Sequence, residues 1–235
     1  NGPSWEYGFS MAIDAIGDIV VSGVFQDTID FDPGPDTTLL ISNGDYDAYA
    51  LKLDTAGNFL WAISYGASQP DYSLDVGIDQ MGNVLLTGWY ENTVDFDPSA
   101  ATANLTAQDA WDGYVLKLDP NGNYIWAKPI GGISAERGAS VTSGADNSVY
   151  ITGFYRNVCD FDPGAGSELL TSVGIGDIYV LKLDSDGLFE WVTSMGGSGQ
   201  NEGLSIVSDE LGNVYTTGFF QTTVDFDPGI GTANI

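Results

Sequence analysis

Apolar and polar residues alternate with a period of two in short bursts along this chain, and nowhere do they recur at helical spacing. In "DAYALKLD" (47–54) Tyr49, Leu51 and Leu53 share one face of an extended segment while Lys52 points the other way. The alternation returns at Leu116 and Leu118, and again at Leu181 and Leu183. A second kind of segment, "GDIVVSG" (17–23), is short, rich in β-branched residues and bounded by glycine. Both patterns predict β-strands. Between the "LKLD" strand and the tryptophan-bearing strand after it lie "TAGN", "PNGN" and "SDGL", each with a glycine where a tight turn needs a left-handed residue. The matching slot before the "VxxTG" strand holds Gly17, Gly82, Asn147 and Gly212. Asparagine is the usual non-glycine residue tolerant of that conformation, so the exception supports the turn.

These segments recur at a fixed spacing. The strings "IDFDPG" (29–34), "VDFDPS" (94–99), "CDFDPG" (159–164) and "VDFDPG" (224–229) place Phe31, Phe96, Phe161 and Phe226 65 residues apart each time, with no insertion or deletion. The period divides the chain into repeats 1–65, 66–130 and 131–195 and a partial repeat 196–235, one continuous repeat domain of about 3.5 units. Each full unit offers four strands, expected in the second near 74–79, 84–90, 113–119 and 124–130, with "DFDP" in the long connection between strands two and three. A short extra strand is expected to end that connection, at "TTLLIS" and "ELLTS". The predicted fold class is all-β: β-propeller-type four-stranded antiparallel blades in tandem.

"IDQMGNVLLTGWY" followed by "DGYVLKLDPNGNYIWAKPIGG" resembles the SBBP-type β-propeller repeat of secreted and surface bacterial proteins, and the likeness covers essentially the whole chain. The resemblance implies blades and an extracellular or cell-surface location; it implies almost nothing about activity. The enlarged "DFDPG" connection makes this unit longer than the usual one.

Composition narrows the partners. The 6 basic and 33 acidic residues leave a formal charge of −27, which repels nucleic acid and anionic lipid and attracts divalent cations. With 43% apolar and 12% aromatic residues the chain is too rich for a disordered acidic segment. No apolar run is long enough for membrane insertion as a helix. From the start at Asn1, without methionine or signal peptide, we expect a processed or internal piece of something longer. There is no histidine, which excludes histidine-based triads and histidine-ligated zinc. The single cysteine, Cys159, stands where other repeats have isoleucine or valine, as a buried and inert thiol would.

The chemistry-bearing candidates are the aspartate pairs Asp30 and Asp32, Asp95 and Asp97, Asp160 and Asp162, Asp225 and Asp227. In an extended strand both carboxylates of a pair face one way, about 7 Å apart, and repel by about 0.6 kcal/mol in water or roughly 2.4 kcal/mol at an effective dielectric of 20. Three readings compete. The aspartates accept backbone N–H bonds in a tight turn, with the phenylalanines as core anchors; they bind calcium, the hard cation suited to clustered carboxylates and carbonyls; or a pair works as acid and base, as in glycoside hydrolysis. Four copies in equivalent settings argue against the last, since a catalytic site is usually single, and we expect no enzyme. The turn at Asp184–Gly187 resembles a calcium loop, but Ala56 at the matching site of the first repeat argues against a general one. Lys52, Lys117 and Lys182, half of all the basic residues, recur once per unit as candidates for one structural ion pair per blade. Trp61, Trp126 and Trp191 read as outer-strand packing residues, and Trp89 and Trp111 as possible glycan-stacking ones. Asn104 lies in a glycosylation sequon, and Thr28, Thr37 and Thr55 follow aspartate in short O-glycosylation-like motifs.

The expected function is a non-enzymatic extracellular structural or adhesive repeat protein that self-assembles end to end, as a homo-oligomer or filament joined through its blade ends. The alternative is a ligand- or carbohydrate-binding propeller module of a larger secreted protein.

Overall fold

The computed structural model describes residues 5–227, 229 and 231–235, all of them strand, turn or irregular. The first repeat contains β1 (Glu6–Ile13), β2 (Ile19–Phe25), β3 (Thr28–Asp30), β4 (Leu39–Ile41), β5 (Asp47–Leu53) and β6 (Phe59–Tyr65). The second has β7 (Tyr72–Ile78), β8 (Val84–Tyr90), β9 (Thr93–Asp95), β10 (Asn104–Thr106), β11 (Asp112–Leu118) and β12 (Tyr124–Gly132). The third repeats the order as β13 (Arg137–Ser143), β14 (Val149–Tyr155), β15 (Val158–Asp160), β16 (Leu169–Thr171), β17 (Asp177–Leu183) and β18 (Phe189–Gly197). β19 (Glu202–Ser208), β20 (Val214–Phe219) and β21 (Val224–Asp225) begin a fourth.

Each complete repeat folds as a four-stranded antiparallel blade in simple order, β1-β2-β5-β6 in the first. The blades converge on their first strands, with β1 against β7, β7 against β13 and β13 against β19. The turns form as the glycine pattern requires: Gly82 has φ +80° and Asn147, at the matching position, φ +61°. The aspartate opening such a turn organises it. Asp79 Oδ1 accepts the N–H groups of Met81 and Asn83, and its Oδ2 accepts the Asn83 side-chain amide.

The inner strands of the second and third blades are buried on both faces, because a neighbouring blade covers each side. Tyr114, Leu116 and Leu118 of β11 pack toward the first blade with Val20, Ala48 and Ala50. Val115 on the opposite face packs toward the third blade with Val141, Ile151 and Leu181. The same period of two therefore assigns alternate side chains to two different interfaces.

The extra strand expected at the end of the long connection is present as β4, β10 and β16, and it closes a small hairpin with β3, β9 and β15. In the third and fourth repeats this segment pairs with the last strand of the preceding blade, whereas β3–β4 and β9–β10 remain two-stranded sheets of their own. In the third repeat Asp160 and Cys159 pair with Gly131 and Gly132 at the end of β12, so the second blade's sheet runs on into β15 and β16. In the fourth, Asp225 and Val224 pair with Gly196 and Gly197.

Candidate functional site

The "DFDP" segments sit at the outer end of each blade junction with their phenylalanines inward. Phe96 and Phe161 are fully buried, and each meets an aromatic ring from the preceding strand edge-on, Tyr90 at 5.4 Å and Tyr155 at 5.2 Å. The aspartates hold the turn. Asp95 Oδ1 accepts the N–H groups of Asp97 and Ala103, while Asp97 Oδ1 accepts that of Ser99. Asp30 with Asp32, Asp160 with Asp162 and Asp225 with Asp227 repeat the arrangement. These bonds from Ala233 and Asp227 hold the half-buried Asp225 carboxyl below its ordinary range. Pro228, the proline of the fourth copy, lies outside the described residues. Among the described residues no three acidic or cysteine side chains converge as a metal-binding group.

The three lysines pair with the turn that opens the second strand of their own blade, not with the "DFDP" carboxylates. Lys52 Nζ lies 2.9 Å from Asp14 and 3.7 Å from Asp18, and Lys117 Nζ lies 3.0 Å from Asp79, with both partners of the latter pair buried. Burial of Asp14 would raise its pKa, but the bonds from Lys52 and from backbone N–H groups outweigh it, and the net shift is downward. Lys182 is more open, 3.5 Å from Asp146 and 2.8 Å from Glu190, and the bond to Glu190 raises its pKa. Lys52 and Lys117 also reach into the next blade, where each donates to a turn carbonyl, Pro120 O or Ser185 O. The tryptophan opposite each lysine donates to that same carbonyl.

A second set of acids lies at the junctions, and a reading of "DFDP" alone misses it. Asp47, Asp112 and Asp177 open β5, β11 and β17; Asp71, Glu136 and Asn201 lie just before or at the start of the following blade. All six are buried. One oxygen of each aspartate in the first group accepts a backbone N–H, from Asn43, Gln108 and Val173. The other oxygen of Asp47 and of Asp112, and Oε1 of Glu136, are buried without a partner. Desolvation pushes Asp47 up to about 6, Asp71 and Asp112 up to about 7, and Glu136 up to about 8; the charge of Asp47 adds to the shift of Asp71 and that of Asp112 to the shift of Glu136. The sequence signal was the aspartate opening every "DxYxLKL" strand. Its partner on the next blade could not be read from that strand.

The remaining candidates are dispersed. Cys159 is buried in its valine slot, and burial pushes its thiol pKa far up, as suits an inert residue. Asn104, Thr28, Thr37 and Thr55 are all exposed, Asn104 on β10 opposite Asp95. Trp89 stacks on Tyr72 at 4.5 Å, and Trp111 lies 5.5 Å from Trp89.

This geometry is four-stranded blades, stacked on their first strands and clasped by side chains to neighbouring turns. The fold is a propeller-type repeat. No family model matches the chain. It is 24% identical over 204 residues, 77% of its length, to an uncharacterized WD repeat-containing protein of Acanthamoeba polyphaga mimivirus. It is also 24% identical over 144 residues, 61% of its length, to the regulatory protein FlaEY of Caulobacter vibrioides. The chain spans only 15% of the length of each of these relatives.

Proposed function

We propose that the chain is a non-enzymatic structural or adhesive repeat protein of the extracellular space or cell surface, of the SBBP type, and that its blade ends associate with a second copy. The carrying observation is what the internal lattice does to equivalent positions. Val76, Val141 and Ile206 are 5%, 3% and 3% exposed because a neighbouring blade covers them, whereas Met11, at the same place in the first blade, is 58% exposed. At the other end Tyr215 is 57% exposed, while Val20, Leu85 and Tyr150 at its equivalent positions are 0%, 0% and 3% exposed. Both open faces thus continue an interface that the protein already builds internally, and the surface that fits them is another blade of the same kind. Repetition of the "DFDP" aspartate pairs in equivalent settings supports the non-enzymatic reading.

Sedimentation of the 235-residue chain tests this. Association is expected to rise with protein concentration and with salt, since screening relieves the repulsion between copies of charge −27. A Met11→Glu, Tyr215→Glu double variant is expected to stay monomeric. A wild-type chain that stays monomeric at high salt and at about 100 μM, a concentration where contacts of modest affinity assemble, would count against the reading.

A second reading, a carbohydrate-binding module, draws on the row of rings formed by Phe9, Tyr72, Trp89 and Trp111 across the first two blades. Quenching of tryptophan fluorescence by oligosaccharides, abolished by Trp89→Ala, would favour it.

A further inference from the structure

We propose that Asp112 and Glu136 share one proton across the junction of the second and third blades, and that this makes the junction a pH-sensitive clasp. Two carboxyl oxygens there, Asp112 Oδ1 and Glu136 Oε1, are buried without a partner, while the sister oxygens accept the N–H groups of Gln108 and Gly132. Two ionised carboxylates in that position would leave two desolvated acceptors facing the same charge. The Glu136 N–H donates to the carbonyl of Trp111, next to Asp112, at 3.1 Å, which sets the two acids on adjoining backbone, and one proton held by the pair removes the repulsion.

The third junction shows the same solution in fixed form. Asn201 stands at the position of Glu136, and its amide donates to Asp177 Oδ1 at 3.3 Å and to Gly176 O at 3.1 Å. An amide N–H there does permanently what a carboxylic O–H does only when protonated. The surroundings favour the proton over a cation: two free oxygens are too few ligands for calcium, and no third acid joins them among the described residues.

Of the charged groups acting on the pair, Asp109 raises the pKa of both acids. Tyr90 on β8, Cys159 on β15 and Tyr179 on β17 also face one or both acids, but their own pKa values are raised, so they stay neutral and add no charge. Arg137, next along the chain, is turned to Glu202 instead. Backbone donors at Gly132 and Arg156 lower the Glu136 pKa, but burial and Asp112 outweigh them. Gly131 matters to the fit, since a Cβ there would lie 2.0 Å from Asp112 Oδ2. The same Gly131–Gly132 edge seats the "DFDP" hairpin of the third blade, so opening the clasp loosens that hairpin as well.

The sign follows from the raised values. The fold holds its proton at pH values where the unfolded chain has lost it, so this stabilisation is complete below about pH 4, the ordinary carboxyl range, and is lost as pH rises through about 7 to 8. The test is the pH dependence of urea unfolding for the wild-type chain and Glu136→Gln, which places an amide where the third junction has one. The wild-type folding constant is expected to fall as pH rises from about 5 to about 8, and Glu136→Gln to fall less, by up to tenfold per pH unit, the linkage of one proton. In heavy water the infrared band of a protonated carboxyl is expected near neutral pH in the wild type and diminished in the variant. If Glu136→Gln does not fold, Asp112→Asn is read the same way and the wild-type band stands alone. Parallel pH profiles, or no carboxyl band near neutral pH, would overturn the proposal. So would a wild-type melting temperature raised by millimolar calcium at about pH 8 and unmoved in Glu136→Gln, since the pair would then hold a metal ion.

Discussion

Trp61 in the first blade donates its indole N–H to the carbonyl of Pro120 in the second, 3.0 Å away, and Lys52 reaches the same oxygen at 3.4 Å. One turn carbonyl is thus held by two side chains of the preceding blade, and Trp126 with Lys117 repeats the grip on Ser185. Trp191 has no such acceptor among the described residues and is 38% exposed. Trp126→Phe is expected to cost about 1 kcal/mol in urea unfolding, the worth of a hydrogen bond of this kind. Trp191→Phe should stay within about 0.5 kcal/mol of wild type. Equal losses at the two sites would mean that the tryptophans act through packing alone.

The buried ion pair makes a sharper prediction. Lys117→Met leaves Asp79 buried with no cation, a situation that typically costs about 3–5 kcal/mol. Adding Asp79→Asn to that variant should recover part of the loss. Lys182→Met is expected to cost about 1 kcal/mol or less, because the Asp146 side chain is 64% exposed and water already screens it. Chemical denaturation of the three variants ranks them directly.

Phe96 is the core anchor of its hairpin, fully buried among Tyr65, Tyr90 and Tyr114. Phe96→Ala is expected to lose about 3–5 kcal/mol through lost transfer energy and the cavity left behind. Phe226 also meets a ring, Phe220 at 5.2 Å, but Phe220 is 41% exposed, so Phe226→Ala should cost clearly less. Melting temperatures by circular dichroism are sufficient to see the order.

The "DFDP" aspartates can be separated into turn-formers and metal ligands by one pair of variants. Asp95→Asn retains an oxygen that can accept the N–H groups of Asp97 and Ala103, so it is expected to be nearly neutral. Asp95→Ala orphans both donors and should cost about 1–3 kcal/mol. A calcium site at Asp95 and Asp97 would reverse this, with Asp95→Asn as damaging as Asp95→Ala and a wild-type melting temperature that falls in EDTA.

The sequence by itself determined the blades. Period-two alternation, the 65-residue spacing and the left-handed turn slots at Gly82 and Asn147 are local properties, written within a few residues of the structure they specify. The inward direction of the four phenylalanines was legible for the same reason, and the turn of "DFDP" follows from bonds that span at most eight residues. What each repeated polar residue meets was decided only by the tertiary structure. Lys52 is 38 residues from Asp14 and 68 from Pro120, and no pattern along the chain says that these converge. The junction acids were hidden in the same way. Asp112 looks like one more strand-opening aspartate until the next blade buries it beside Glu136. Burial turns an ordinary carboxylate into a group whose charge the fold must manage, and burial exists only once two blades have stacked.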